Sequence, residues 1–223
     1  MIIDPQLAVL RSQAPLDFYD RVTARINRRP VPPRGIALHL AGSFGGELRV
    51  ISVYRDRASM SESFAAYTAP ESSNEMIESG ETYDITRDEF ELQRLEIPDS
   101  VPRSSLMFNK SDPIVAISSE LIAYTPEEYR EFTASAGWYD AEVAGRLGHL
   151  AYETGGQSHA FDIWASREQA DEWYRSIGLA QFDDHFPGRR TDEIYEASWI
   201  DVRGFAVLAE IDDPIRHFNR ADG

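Results

Sequence analysis

Apolar and polar positions fall into the same order of strand-like and helix-like patterns in each half of the chain. In the second half, "PIVAISSELI" from Pro113 is a β-prone apolar run. "TPEEYREF" then reads as a helix start, with Thr125 as N-cap, Pro126 at the first helical position and Glu128 closing a capping box. Tyr129, Phe132 and Ala136 follow at helical spacing. "RLGHLAYETGGQSHAFDIWA" reads as a hairpin turning at Gly155 and Gly156, and Ser166 with Gln169 opens a second helix. "EIYEASWIDVRGFAVLAEI" closes the half as one or two strands. In the first half Pro15 opens the first helix, Gly45 and Gly46 mark the turn, and Asp56 caps the second helix. Each half therefore predicts strand, helix, two strands, helix, strand.

The halves also repeat in sequence. At an offset of 110 positions, "GIALHLAGSFGG" from Gly35 falls on "GRLGHLAYETGG" from Gly145, matching His39 with His149 and Gly45–Gly46 with Gly155–Gly156. Eight of the thirty positions from Gly35 to Phe64 are identical, against roughly two expected from average residue usage. A period this long implies a duplicated small domain and not a solenoid, with units 1–108 and 109–223. A βαββαβ unit covers one sheet face with its own helices and leaves the other bare. Two such antiparallel sheets on one chain can close into an intramolecular, pseudo-dimeric eight-stranded α/β barrel able to hold one small ligand. The predicted class is α+β. The duplication makes a monomer with an internal pseudo-dimer possible, and a homodimer through outer surfaces stays open.

Composition narrows the partners. The formal charge of −16 comes without a basic stripe, which argues against nucleic acid, anionic membranes and polyanionic substrates. The absence of cysteine removes disulfides, thiolate metal sites and a cysteine nucleophile. No apolar run approaches the roughly 20 residues of a membrane span, and no secretory signal is visible, so a cytoplasmic protein is expected. Between its second helix and last strand the first half carries "PESSNEMIESGETYDITRDEFE", with eight acids against one base. The pattern is that of a hydrated surface loop, or alternatively a lid.

Strand parity selects the candidate chemistry. Asp162 and Trp164 share one face of their strand while Phe161 and Ile163 share the other, and Ser52 with Tyr54 oppose Ile51 with Val53. If the apolar faces pack on the helices, Asp162, Trp164, Ser52 and Tyr54 look into the barrel. Pairing Glu153 with Ser158 across a four-residue loop places His149 opposite Asp162, and the same count places His39 opposite Ser52. A carboxylate beside an imidazole orients it and makes it a candidate general base. The other readings of this pair are a structural, satisfied buried histidine, or a metal or haem ligand, for which no Glu-x-x-His or His-x-His cluster exists. Trp164 and Tyr54 are candidates for pocket lining or core. Trp199, with Tyr195 and Arg203, is a candidate lining the last strand, while Trp173 and Tyr174 are expected at a helix–sheet contact. His159, His185 and His217 look peripheral. No phosphate loop, dinucleotide fingerprint or serine-nucleophile elbow occurs, and no cofactor is called for.

The two thirty-residue segments resemble the dimeric α/β-barrel superfamily of ferredoxin-like units, most closely antibiotic-biosynthesis monooxygenase-like domains and small actinobacterial barrel proteins. The likeness lies in His39, Ala41 and Gly42 of the first copy and His149, Ala151, Ile163, Trp164 and Ser166 of the second, which has Tyr152 in place of the glycine. It implies a barrel binding a small aromatic or hydrophobic molecule. By resemblance the activity is that of a cofactor-independent monooxygenase or related enzyme on an aromatic, polyketide-like substrate. His149 would be the base, Asp162 would orient it, and Trp164, Tyr54, His39 and Ser52 would contact substrate. The alternative is a non-catalytic ligand-binding or stress-associated barrel in which both histidines are structural.

Overall fold

Two glycines at each hairpin tip decide the geometry of both hairpins. Gly45 and Gly46 have φ of 56° and 86°, and Gly155 and Gly156 have 61° and 76°. This is the doubly left-handed turn that matches the twist of paired strands. The computed structural model describes residues 4–27, 35–68, 83–104, 117–135, 143–175, 198–208 and 217–220. The first hairpin comprises β2 (Ile36–Phe44) and β3 (Glu47–Tyr54). It is preceded by β1 (Gln6–Ser12) and α1 (Leu16–Asn27) and followed by α2 (Arg57–Thr68) and β4 (Ile85–Glu96). After the two-residue β5 (Arg103–Ser104) come β6 (Ile117–Tyr124), α3 (Pro126–Ser135), β7 (Arg146–Thr154), β8 (Gln157–Trp164), α4 (Arg167–Trp173), β9 (Ser198–Leu208) and β10 (His217–Asn219). The order strand, helix, hairpin, helix, strand thus occurs twice, as the patterning predicts. Thr154 pairs with Gln157, so the loop expected to hold four residues is a two-residue turn, and the register inferred beyond it is unchanged.

The chain forms two compact units that interleave in sequence. The first comprises Met1–Glu91, Pro102–Pro113 and Val202–Ile215, and the second Leu92–Val101, Ile114–Asp201 and Arg216–Gly223. They differ from a division at 108/109 because β4 and β9 each give one part to either unit. In the first unit the start of β4 pairs with β1, β1 with β3 and β3 with β2, all antiparallel. The end of β9 lies beyond β2, with β5 parallel to it. In the second unit the start of β9 pairs with β6, β6 with β8, β8 with β7 and β7 with the end of β4, and β10 continues from β4. Numbered within its own motif, each unit has the order 4-1-3-2 of a ferredoxin-like split βαβ sheet.

Local chemistry explains where the helices begin. The Glu128 amide donates to Thr125 Oγ1 (3.2 Å) and the Thr125 amide to Glu128 Oε2 (3.0 Å), forming the expected capping box. The Ser59 amide donates to Asp56 Oδ1 (2.7 Å), and the Gln169 amide to Ser166 Oγ (3.2 Å). The acidic stretch departs from expectation. Strand β4 begins inside it, at Ile85, and pairs with β1 through Glu91, although Thr86, Arg87, Glu89 and Glu91 stay exposed. Residues 70–82 of that stretch, and with them the lid reading, lie outside the described residues. Among the described residues no helix is long and apolar enough to cross a membrane.

Each hairpin starts at a glycine that the next helix requires. Gly35 and Gly145 have φ of 77° and 82°, and their carbonyls accept the amides of Arg55 and Ala165, each at 2.8 Å. A Cβ on Gly35 would lie 2.4 Å from Ser59 Cβ in α2. Gly35→Ala is therefore expected to destabilise the first unit by about 1–3 kcal/mol, from the strained backbone together with the clash. Urea unfolding of the variant against the parent measures it. A change within 0.5 kcal/mol would mean that the hairpin shifts freely off α2.

Candidate functional site

The hairpin registers bring together the residues that parity selected. His149 faces Asp162 across β7 and β8, and His39 faces Ser52 across β2 and β3. The pairs are bonded, His149 Nδ1 to Asp162 Oδ1 and His39 Nδ1 to Ser52 Oγ, each at 2.9 Å.

The direction in which these residues point corrects the sequence expectation. They turn toward the helices of their own unit and not away from them. His149 Nε2 lies 2.6 Å from the Tyr129 hydroxyl of α3, and His39 Nε2 lies 2.9 Å from the Tyr19 hydroxyl of α1. The Tyr174 hydroxyl, just past α4, donates to Asp162 Oδ2 at 3.1 Å. Trp164 packs on the rings of Trp173 and Tyr174, with centroids 5.6 and 5.8 Å away, and Tyr54 packs on Phe64 of α2 at 5.9 Å. The side chains away from the helices are Leu38, Leu40, Ile51 and Val53 in the first unit and Leu150, Phe161 and Ile163 in the second, all buried. The physical reason is that helical tyrosines carry hydroxyls into the helix–sheet layer. A polar strand face can be satisfied there, and the other side keeps mostly apolar side chains, with Arg49 in the first unit and the stacked Tyr152 and His159 in the second among them.

Tyr19 and Tyr129 are the residues that parity reasoning missed. The signal was present in the repeat: Tyr19, Thr23 and Ala24 recur at the same offset as Tyr129, Thr133 and Ala134. Both threonines are buried and bond back to carbonyls of their own helix turn, Thr23 to Tyr19 (2.9 Å) and Thr133 to Arg130 (3.2 Å).

Electrostatics separate the two sets. His149 and Asp162 are 2 % and 1 % exposed. Burial pushes the Asp162 carboxyl up, but the His149 imidazole, the Arg146 guanidinium and the Tyr174 hydroxyl outweigh it and hold the group below its ordinary range. An ionised Asp162 can only accept, so Nδ1–H of His149 donates to it. Nε2 of His149 meets the Tyr129 hydroxyl, which can either donate to the ring or accept from it. His149 and Tyr174 thus both donate to Asp162. In the first unit the Ser52 hydroxyl stands behind the ring in the place of a carboxylate, and burial lowers His39 from 6.5 to about 4, leaving it neutral at pH 7. Burial also raises the Tyr54 hydroxyl, against the hydrogen bonds of Ser63 and Ser52 and the nearby charge of Arg87.

The remaining candidates fall elsewhere. Trp173 and Tyr174 are buried at the helix–sheet contact expected of them. Trp164 is 0 % exposed, and its indole N–H has no acceptor among the described residues. His159 stacks on Tyr152 at 5.0 Å, and His217 bonds Glu96 at 3.2 Å. Trp199 pairs in register with Ser119, whereas Tyr195, His185 and the side chains of Trp199 and Arg203 lie outside the described residues. Among the described residues no group of three or more histidines and carboxylates is arranged to hold a metal.

Asp162→Asn should cost about 2–4 kcal/mol at neutral pH, since it removes the anion that the imidazole, the guanidinium and the hydroxyl all address. A carboxyl lowered by folding contributes stability that is complete above the ordinary carboxylate range. That contribution is lost as pH falls through the lowered folded-state value. The deficit of the variant against the parent should thus narrow in acid, which urea titrations at stepped pH would read. A deficit constant with pH would mean that Asp162 is not ionised in the folded state.

No family model matches the sequence, and no curated protein matches it. Solved structures do resemble the fold. A proposed monooxygenase of Fusobacterium nucleatum superposes with a TM-score of 0.65 at 11 % identity, covering 93 % of this chain and 96 % of the other. A proposed monooxygenase of Lactobacillus acidophilus gives 0.62 at 10 % identity, over 92 % and 96 %. A ferredoxin-fold protein of Listeria monocytogenes related to antibiotic biosynthesis monooxygenases gives 0.47 at 9 %, over 90 % and 94 %. At these identities the likeness is one of fold, that of an α+β chain superposing on the two proposed monooxygenases over more than nine-tenths of its length.

Proposed function

We propose that this chain is a small-molecule-binding protein on the monooxygenase-like fold, and that its two histidine sets hold helices on sheets without touching the ligand. The observation that carries the structural role is saturation. Both ring nitrogens of His39 and of His149 are bonded to side chains of their own unit, and both rings are buried. The small-molecule reading rests on the likeness to proposed monooxygenases over more than nine-tenths of each chain. The 110-residue offset, which relates Tyr19, His39 and Gly35 to Tyr129, His149 and Gly145, supports an origin by tandem duplication of a unit spanning 1–108 into 109–223.

A second reading is favoured by one difference between the sets. Only His149 is backed by an ionised carboxylate, Asp162, where His39 has Ser52. Here the chain is a cofactor-independent monooxygenase for an aromatic, polyketide-like substrate. His149, oriented by Asp162, takes a proton from a phenol or activated carbon, and the resulting electron-rich anion reacts with dioxygen. Trp164 and Tyr54 hold the substrate in this reading, with His39 and Ser52 as further contacts.

One experiment separates the readings. A thermal-shift panel of phenolic aromatic ketones should yield stabilising ligands, and oxygen uptake with those ligands is then compared in the parent and His149→Gln. The structural reading expects a melting point lowered by several degrees and ligand affinity and any oxygen uptake within about threefold of the parent. A folded variant that binds normally but loses about a hundredfold or more in oxygen uptake establishes His149 as the base.

A further inference from the structure

The two helix-to-sheet fastenings share a geometry and differ in charge. In the first unit His39 joins the Tyr19 hydroxyl of α1 to the Ser52 hydroxyl of β3, 2.9 Å on each side, and is 3 % exposed. In the second, His149 joins Tyr129 of α3 to the Asp162 carboxylate of β8. An added proton on either ring finds hydroxyl acceptors. Only in the second unit does it also find an anion.

Among the described side chains, neither hydrogen-bond partner of His39 is an anion, and half-buried Asp20 of α1 is the neighbouring carboxylate next to Tyr19 in sequence. On the helix-facing side α1 presents Tyr19 and β3 presents Tyr54 as titratable groups, and α2 presents buried Met60 and Ser63. Asp17 and Arg21 of α1 and Glu62 of α2 point to solvent. On β1 the residue opposite Ser52 is Ala8. The carboxylates and guanidinium of β4 on this side are Glu89, Glu91 and Arg87, paired with Ala8, Gln6 and Leu10. They stand three strand spacings from β2, roughly 14 Å. On β9, which borders β2, the described side chains Val202 and Phe205 to Leu208 are apolar; the ionisable Asp201 and Arg203 have side chains outside the described set.

We propose that α1 is an acid-releasable helix: protonation of His39 loosens its attachment to the first sheet, while α3 stays fastened by its carboxylate-backed histidine. The device goes beyond the functional reading above and does not depend on it. With a folded-state value near 4 against the ordinary 6.5, the stabilisation from a neutral His39 is complete above about pH 6.5. It is lost as pH falls toward 4, because the opened state then binds the proton more tightly. Between pH 7 and 4.5 that difference favours opening by roughly fiftyfold at most. Opening would uncover the polar side of the first sheet and leave the second closed.

Hydrogen exchange read by mass spectrometry on the whole chain, at about pH 7 and about pH 4.5 with intrinsic rates corrected, tests this helix by helix. Residues 16–27 should lose at least about tenfold in protection, while residues 126–135 stay within about threefold. His39→Gln keeps hydrogen-bonding groups but cannot take the proton, and should abolish the acid response. Ser52→Asp gives the first unit the second unit's carboxylate, and should bring the response of α1 down to that of α3. Equal loss of protection in both helices of the parent overturns the proposal, as does an unchanged acid response in His39→Gln. If His39→Gln does not fold, the parent and Ser52→Asp decide between the outcomes.

Discussion

A hydrogen bond between a helical tyrosine and a strand histidine sets the layout of each unit. The rest of the helix–sheet layer is arranged around it. Placing an imidazole on the helix side of a sheet removes it from water, and a buried ring nitrogen must find a partner. Tyr19 and Tyr129 meet that demand from the first helix of their units, each twenty positions before its histidine. The bond ties the helix to one register over the sheet. Neighbouring strands then have to supply the second partner, and they do so with Ser52 and Asp162. The glycine turns fix hairpin register, and register decides which residue stands opposite the ring. A slip of one residue would turn serine and aspartate away from the histidines.

The second unit carries more polarity in this layer than the first. Asp162 needs Arg146, Tyr174 and His149 around it, and Trp164 replaces Tyr54 with a larger ring seated against Trp173. Buried networks of this kind reward complete satisfaction and punish partial satisfaction. The Trp164 indole, without an acceptor among the described residues, therefore stands out from an otherwise bonded set. The opposite sheet faces bring apolar surface from Leu38, Leu40, Ile51, Val53, Leu150, Phe161 and Ile163, together with Arg49 and the stacked Tyr152 and His159.

Much of this was legible from residues alone, for identifiable reasons. Element order followed from caps and turns because Thr125, Glu128, Asp56 and the paired glycines act within a few residues of themselves. The His149–Asp162 pairing followed because a hairpin register is also local. The facing of the pair did not follow. Period-2 alternation separates two faces without saying which one meets the helices, and the rule that apolar faces meet helices fails when the helix brings a tyrosine hydroxyl. Repetition of Tyr19 as Tyr129 would have shown this, since a hydroxyl kept at helical spacing on a buried face needs a polar partner. The exchange of β4 and β9 between units was out of reach for a different reason. Pairing between segments more than fifty residues apart leaves no periodic mark on either segment.

That exchange bears on how the chain can be made. The strand bordering β2 in the first unit comes from Val202 onward, so the first unit has all its sheet residues only after Ile114–Asp201 of the second unit have been made. Until then β2 carries an open row of amides and carbonyls on a nascent polypeptide, the kind of edge that recruits stray strands. The first unit must therefore wait, unpaired on one side, until β9 has left the ribosome.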